Sequence, residues 1–234
     1  MNREVSLNLP EYGAEDRSLL ENMRRFGILK SDNNGVADFQ SPLARRFTLN
    51  WLHPERPTRN PSSIRVLLET ALEKISRSAL LSTMQSGFPV EAVFQAHLLH
   101  AFIASTPVGC RTIPEMSTLF RDESGEQGRR VEGRIDFYIN DTLRWGVELL
   151  VNGDRVGEHL FRFTPHGRYA TLAVADYMVI DLRRGRAGNL PHNRVIWNVL
   201  RHEKKSTVFF DPAFKFCDVV HGYEEVANTI HLRS

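Results

Sequence analysis

The chain has 234 residues, 41% of them hydrophobic and 25% charged, with a formal net charge of +2 at pH 7. That composition fits one large or two small globular domains and excludes a global basic field. No apolar run has the length of a membrane span, and two distant cysteines, Cys110 and Cys217, exclude a disulfide scaffold or a structural zinc module.

The first 14 residues are polar, contain Pro10 and Gly13, and lack the hydrophobic core of a signal peptide. Leu19, Leu20, Met23 and Phe26 fall on one side of a helix predicted over Glu15–Phe26, which Gly27 stops. Ile28 and Leu29, the turn Asp32-Asn33-Asn34-Gly35, and Val36–Phe39 read as a short hairpin. Ser41-Pro42 opens a second helix to about Leu52. Helix, hairpin, helix outlines a small winged-helix-like segment, which binds DNA in some proteins and packs in others. His53–Pro61, with three prolines, is the best linker, so the expected division is 1–60 and 61–234.

Beyond the linker, one helix is predicted over Ile64–Leu81 and another over Val90–Ile103. On the second, Glu91 and Gln95 share a face, as do His97 and His100, which read as ordinary, partly exposed histidines. A strand is predicted over Cys110–Met116 and a loop over Ser124–Gly128. After the central hairpin comes a helix over Arg155–Phe163, with His159 and Arg162 on one side. The basic aromatic turn Pro165–Tyr169 follows, then the nearly all-apolar strand Asp176–Arg183, which should be central. Arg194–Leu200 and Thr207–Phe210 read as outer strands, and the tail as a short helix and a last strand.

The central stretch is RIDFYINDTLRWGVELLV, Arg134 to Val151. Arg134–Ile139 and Arg144–Val151 read as strands joined by a turn. With a three-residue loop, Asn140 faces Arg144 and Asp136 lies opposite Glu148, their Cβ atoms roughly 5 Å apart. Like charges in that position are destabilising, and burial among Val, Leu and Trp adds desolvation. The pair therefore asks for a cation. A hard divalent ion, Mg²⁺ or Mn²⁺, is one answer. Pairing with Arg134 or Arg144, or exposure at an edge, is the other. In the metal case, losing either carboxylate should leave the fold intact or more stable.

From Pro89 the order is helix, three strands, helix, strand, with the acids on the second and third strands. This resembles the restriction-endonuclease-like PD-(D/E)XK core, an α/β fold of αβββαβ order in which the acids hold a divalent metal over the scissile phosphate. That family's usual lysine, two residues past the glutamate, is Leu150 here. More closely, ILKSDNNGVADFQSPLARRF with NWLHPERPTRNPSSI resembles the segment joining ATPase and effector parts in Crinkler and retrotransposon hot spot proteins. RIDFYINDTLRWGVELLVNGDRVGEHLFRF, then GRY and DYMVIDLR, is similar to the Crinkler nuclease-like C-terminal domain. Two family positions depart, at Val151 and His97.

The resemblance implies a secreted effector that enters host nuclei, with DNA or a host nuclear protein as partner. Because no P-loop motif is present, it also implies the C-terminal portion of that architecture. It implies Asp136 and Glu148 as Mg²⁺ or Mn²⁺ ligands and roles for Gln95, His159 and Arg162. In this reading the chain is a metal-dependent DNA endonuclease, with His159 and Arg162 standing in for the lysine. Arg168, Arg183, Arg184 and Arg186 would hold DNA phosphates without reading sequence. The alternative is a nuclease scaffold without turnover that binds DNA or a host protein.

Overall fold

The computed structural model describes residues 14–25, 29–31, 37–39, 48, 55–83, 87–121, 130–140, 142–153, 155–172, 174–185, 202–224 and 226–234. The chain divides into two compact units, residues 1–54 and 55–234.

In the first unit, α1 spans Ala14–Arg25 and ends in Arg24 and Arg25, where positive charge meets the negative end of the helix dipole. β1 (Leu29–Ser31) and β2 (Ala37–Phe39) form an antiparallel hairpin in which Leu29 faces Phe39. The expected second helix, apart from Thr48, and the Asp32–Gly35 turn lie outside the described residues.

The second unit is a mixed α/β fold. It contains α2 (Ile64–Lys74), α3 (Arg77–Ser82), α4 (Glu91–Ala104), β3 (Thr112–Arg121), β4 (Arg130–Ile139), β5 (Trp145–Val151), α5 (Val156–Phe161), β6 (Asp176–Arg184), β7 (Lys205–Phe210), β8 (Phe216–His221) and β9 (Asn228–His231). Strands β3 to β9 form one seven-stranded sheet in sequence order. Pairing is antiparallel from β3 to β5, parallel from β5 to β7, and antiparallel from β7 to β9.

Where one helix is predicted over Ile64–Leu81, there are two. The Ser63 side chain caps α2 by accepting from Val66 N–H at 3.2 Å. Ile64, Leu67, Leu68, Ala71 and Leu72 are its buried stripe. At Ile75 the backbone turns extended and its carbonyl accepts from Arg233 N–H, while Arg77 N–H donates to the Arg233 carbonyl. Ser76 then caps α3 by accepting from Ala79 N–H. A tertiary backbone pairing with the tail outcompetes helix continuation, and a serine restarts the helix.

The helix α4 lies on one face of the sheet. Phe94 stacks on Phe210 at 5.1 Å between centroids, and Phe102 meets Phe137 edge-on at 5.3 Å. Past its C-terminal end, the Arg56 guanidinium donates to the carbonyls of Thr106, Pro107 and Cys110 and so ties the loop from α4 to β3. On the other face Leu150, Val156, Leu160 and Val179 pack α5 against β5 and β6.

Three expectations are corrected. Thr207–Phe210 belongs to β7, which is an inner strand buried along its whole length between β6 and β8. The tail forms two strands and no helix among its described residues, because Val219, Val220, Thr229 and Ile230 suit a pleated surface and Gly222, at φ 56°, turns the chain between them. The first strand of the unit is displaced, beginning at Thr112 and running to Arg121. The strand expected over Arg194–Leu200 and the Ser124–Gly128 loop lie outside the described residues.

One buried ionic group bears on how α5 is placed. Asp181 and Lys205 are 0% and 2% exposed and pair at 2.9 Å, and Arg183 Nε donates to the same Asp181 oxygen at 2.9 Å. Arg183 lies under the turn after β5. A Cβ on Gly153, which sits at φ 68°, would be 1.9 Å from Arg183 Nη2. Gly153→Ala should therefore lower stability by about 1–3 kcal/mol through backbone strain and displacement of that guanidinium. Chemical denaturation monitored by circular dichroism checks this, with a fall in midpoint as the expected result.

Candidate active site

The strand β4 changes face at Asp136. Ile135 packs with Phe163 and Tyr169, on the α5 side of the sheet. Phe137, two residues on, meets Phe102 of α4 on the opposite side, whereas in a regular strand both would share a face. The ladder with β3 includes Pro114↔Phe137 and Met116↔Ile135 but skips the residues between them, where Glu115 takes φ 47°. The ladder with β5 ends at Phe137↔Val147. One step further in that register Asp136 stands opposite Glu148, as the hairpin count requires. Here the Leu149 N–H donates to the Asp136 carboxylate Oδ2 at 2.7 Å. A side chain has taken a place in the sheet's hydrogen bonding, which is the kind of local kink that re-aims residues near functional sites.

Glu148 is 1% exposed and sits where β5 is buried on both faces. Its Oε2 is 2.7 Å from His159 Nδ1 and accepts from Arg162 Nη1 at 3.0 Å. Its Oε1 is 2.5 Å from the Tyr169 hydroxyl, which is also 2.5 Å from the Arg134 carbonyl. Neither Arg134 nor Arg144 neutralises the acid pair. Arg134 faces Glu115 at 3.5 Å, and Arg144 is exposed. The guanidinium that does reach Glu148 comes from α5, through tertiary packing.

His159 and Arg162, three residues apart, share one side of α5. The helix is shorter than predicted because Arg155, at φ 59°, stands outside it as N-cap. Arg162 is steadied by Glu158, whose Oε1 accepts from Nη2 at 3.0 Å, while its buried Nε has no partner among the described residues. After α5 the chain folds back tightly. A Cβ on Gly167 would be 2.1 Å from the Phe161 carbonyl, so only glycine permits the approach that lets Tyr169 N–H donate to the Arg162 carbonyl at 2.7 Å.

Asp136 has different company. Gln95 Nε2 donates to Oδ1 at 3.5 Å, the long end of a hydrogen bond, and no cationic side chain pairs with it among the described residues. Burial first, then the charge of Glu148, pushes its carboxyl well above the ordinary 3.8, against the opposing effect of the Leu149 N–H. Glu91, one turn before Gln95 on α4, keeps an exposed edge. Its carboxyl is also raised, by desolvation first, with His159 and Arg162 opposing and Glu148 adding. Burial, then Glu148, also pushes the Tyr169 phenol far up, so it stays a neutral donor.

The structure thus gathers Asp136, Glu148, Gln95, His159 and Arg162, together with Glu91. Of the arginines expected to hold phosphates, Arg183 is committed elsewhere. Val179, not Arg183, lies beside Glu148 on β6. Arg183 is four residues, roughly 13 Å, further along the strand, committed to Asp181. Arg184 and Arg168 are exposed, and Arg186 lies outside the described residues. The residue missed by sequence is Tyr169. Its signal was the turn Gly167-Arg168-Tyr169, since a buried phenol must find an acceptor.

Among the described residues, no three His, Cys, Asp or Glu are already gathered to hold a metal ion. The donor set at Asp136 still suits a hard cation, being carboxylate and amide oxygens with surplus negative charge. Compared with known proteins, the chain matches no family model, no curated protein and no solved structure.

Because the native Asp136 holds its proton to a higher pH than the unfolded chain does, the native state binds more protons above pH 3.8. Stability then falls as pH rises from there through the raised value. Asp136→Asn can still accept the Leu149 N–H and should raise the melting temperature at neutral pH in chelator, with the gain shrinking toward acid. A shift of roughly 2–4 °C per kcal/mol is the scale expected for a protein of this size. Thermal unfolding of both proteins across the pH range checks the sign.

Proposed function

We propose that this chain is a divalent-metal-dependent endonuclease that hydrolyses phosphodiester bonds of DNA, with a restriction-endonuclease-like core. The observation that supports it most is the mismatch of charge around the β4–β5 kink. Asp136 and Glu148 face each other there, Glu91 adds like charge, Arg162 pairs with Glu148, and among the described residues no cationic side chain pairs with Asp136. The element order from α4 to β6, αβββαβ, and the likeness to Crinkler nuclease-like domains favour the same reading.

In this reading Asp136, Glu148, Glu91 and the Gln95 amide would hold the ion. When bound, it would supply an activated water and neutralise charge on the phosphoryl oxygens. The chain's own residues do the rest. Arg162 donates to a phosphoryl oxygen as charge builds there. His159 accepts a proton from the attacking water.

Two observations favour the second reading, a binding scaffold without turnover. Leu150 fills the position of the usual lysine and is buried against Val156, Val179 and Leu160. Both Oε2 contacts of Glu148 come from side chains of α5.

Nicking of supercoiled plasmid with Mg²⁺, Mn²⁺ or chelator separates the two. Wild type should cut with metal only, Asp136→Asn should not cut, and His159→Asn should slow cutting by roughly 10²–10⁴-fold. Equal cutting by wild type and Asp136→Asn means a contaminant, and no cutting with no calorimetric metal binding means a scaffold. The earlier expectation that losing either carboxylate is harmless now splits. Glu148→Ala strands Arg162 and His159 and should lower stability by about 3 kcal/mol, read by denaturant titration.

A further inference from the structure

We infer that Tyr169 is a positioning residue, which through Glu148 holds His159 in the tautomer with its proton on Nδ1 and so presents Nε2 to the substrate. The tautomer follows from the contacts. Glu148 Oε2 lies 2.7 Å from His159 Nδ1. Arg162 Nη1, a donor, lies 3.4 Å from the same nitrogen, but the carboxylate oxygen is much the closer neighbour, and an unprotonated Nδ1 would face it with its own lone pair, so Nδ1 donates. In the neutral ring the remaining lone pair is then on Nε2.

That arrangement needs Glu148 to keep one orientation. Oε2 takes two donors, His159 and Arg162. Oε1 takes the Tyr169 hydroxyl. Turning the carboxylate would take an oxygen away from the phenol and from the guanidinium together. The phenol cannot follow it. Tyr169 is 1% exposed, its ring meets Phe163 edge-on at 5.0 Å, and Phe163 stacks on Tyr177 at 4.3 Å. Its N–H is tied to the Arg162 carbonyl, and its oxygen lies 2.5 Å from both Glu148 Oε1 and the Arg134 carbonyl, which compete for its single proton. One rigid side chain therefore references the carboxylate to both β4 and the end of α5. Second contacts of this kind fix ring orientation and tautomer wherever a histidine does chemistry.

What Nε2 does rests on the nuclease reading, but the tautomer does not. The test uses the full chain, metal-free, labelled with ¹⁵N at histidine, with the His159 signals assigned by loss in His159→Gln. Long-range ¹H–¹⁵N spectra should show wild-type His159 protonated at Nδ1. Tyr169→Phe keeps the ring and removes only the hydroxyl. It should show a mixture with the Nε2–H form and, on plasmid DNA, about a tenfold lower kcat with KM unchanged. Independently of the variant, wild-type Tyr169 should show a hydroxyl proton protected from exchange.

Wild-type His159 protonated at Nε2, a tautomer unchanged in folded Tyr169→Phe, or a freely exchanging Tyr169 hydroxyl would each overturn the assignment. A protein that shows the Nδ1–H form and its loss in Tyr169→Phe but cuts no DNA keeps the assignment and refutes the nuclease reading. One that cuts with His159 in the other tautomer does the reverse.

Discussion

A single buried carboxylate organises this half of the molecule. Glu148 sits mid-strand in β5, among residues buried on both faces of the sheet, where an unaccompanied charge would cost several kcal/mol. The chain answers from three directions, with a guanidinium and an imidazole from α5 and a phenol from the turn beyond it. The helix α5 is only six residues long and would be marginal alone. Its apolar side packs on Leu150 and Val179, and its polar side is pinned by Glu148. The same contacts that make the carboxylate tolerable place His159 and Arg162 at the kink in β4.

Three acids in one sheet show how differently the fold treats like groups. Asp181 has two cations, Lys205 and Arg183, on one oxygen. Glu148 has one permanent cation and two further polar contacts. Among the described residues Asp136 has amide donors only. Asp181 ties β6 to β7 through Lys205. Asp136 pairs with no cationic side chain among the described residues, and it stands where β4 is released from its ladders on both sides.

The face change at Asp136 is also what lets both sides of the sheet contribute. Gln95 and Glu91 belong to α4, on one face, and His159 and Arg162 to α5, on the other. A regular strand would have presented Asp136 to only one of them. The left-handed backbone of Glu115, directly across β3, accommodates the irregularity.

Much of the central hairpin was legible in sequence. Alternation, the turn after Ile139 and simple counting put Asp136 across from Glu148, because a strand's period of two leaves no freedom once the loop length is set. The αβββαβ order, the His159–Arg162 pairing on one helical side, and the buried character of Asp176–Arg183 were legible for the same local reason. Tertiary structure alone decided the rest. It broke the Ile64–Leu81 helix to pair with Arg233, moved β7 inward, turned the tail into strands, and drew Arg183 to Asp181 rather than to the acid pair. It chose Arg162 over Arg134 and Arg144 as the partner of Glu148, and it brought Tyr169 to the far oxygen. Periodicity encodes which side of an element a residue occupies. Which charge neutralises which is a matter of distances between elements far apart in the chain, and no local pattern carries them.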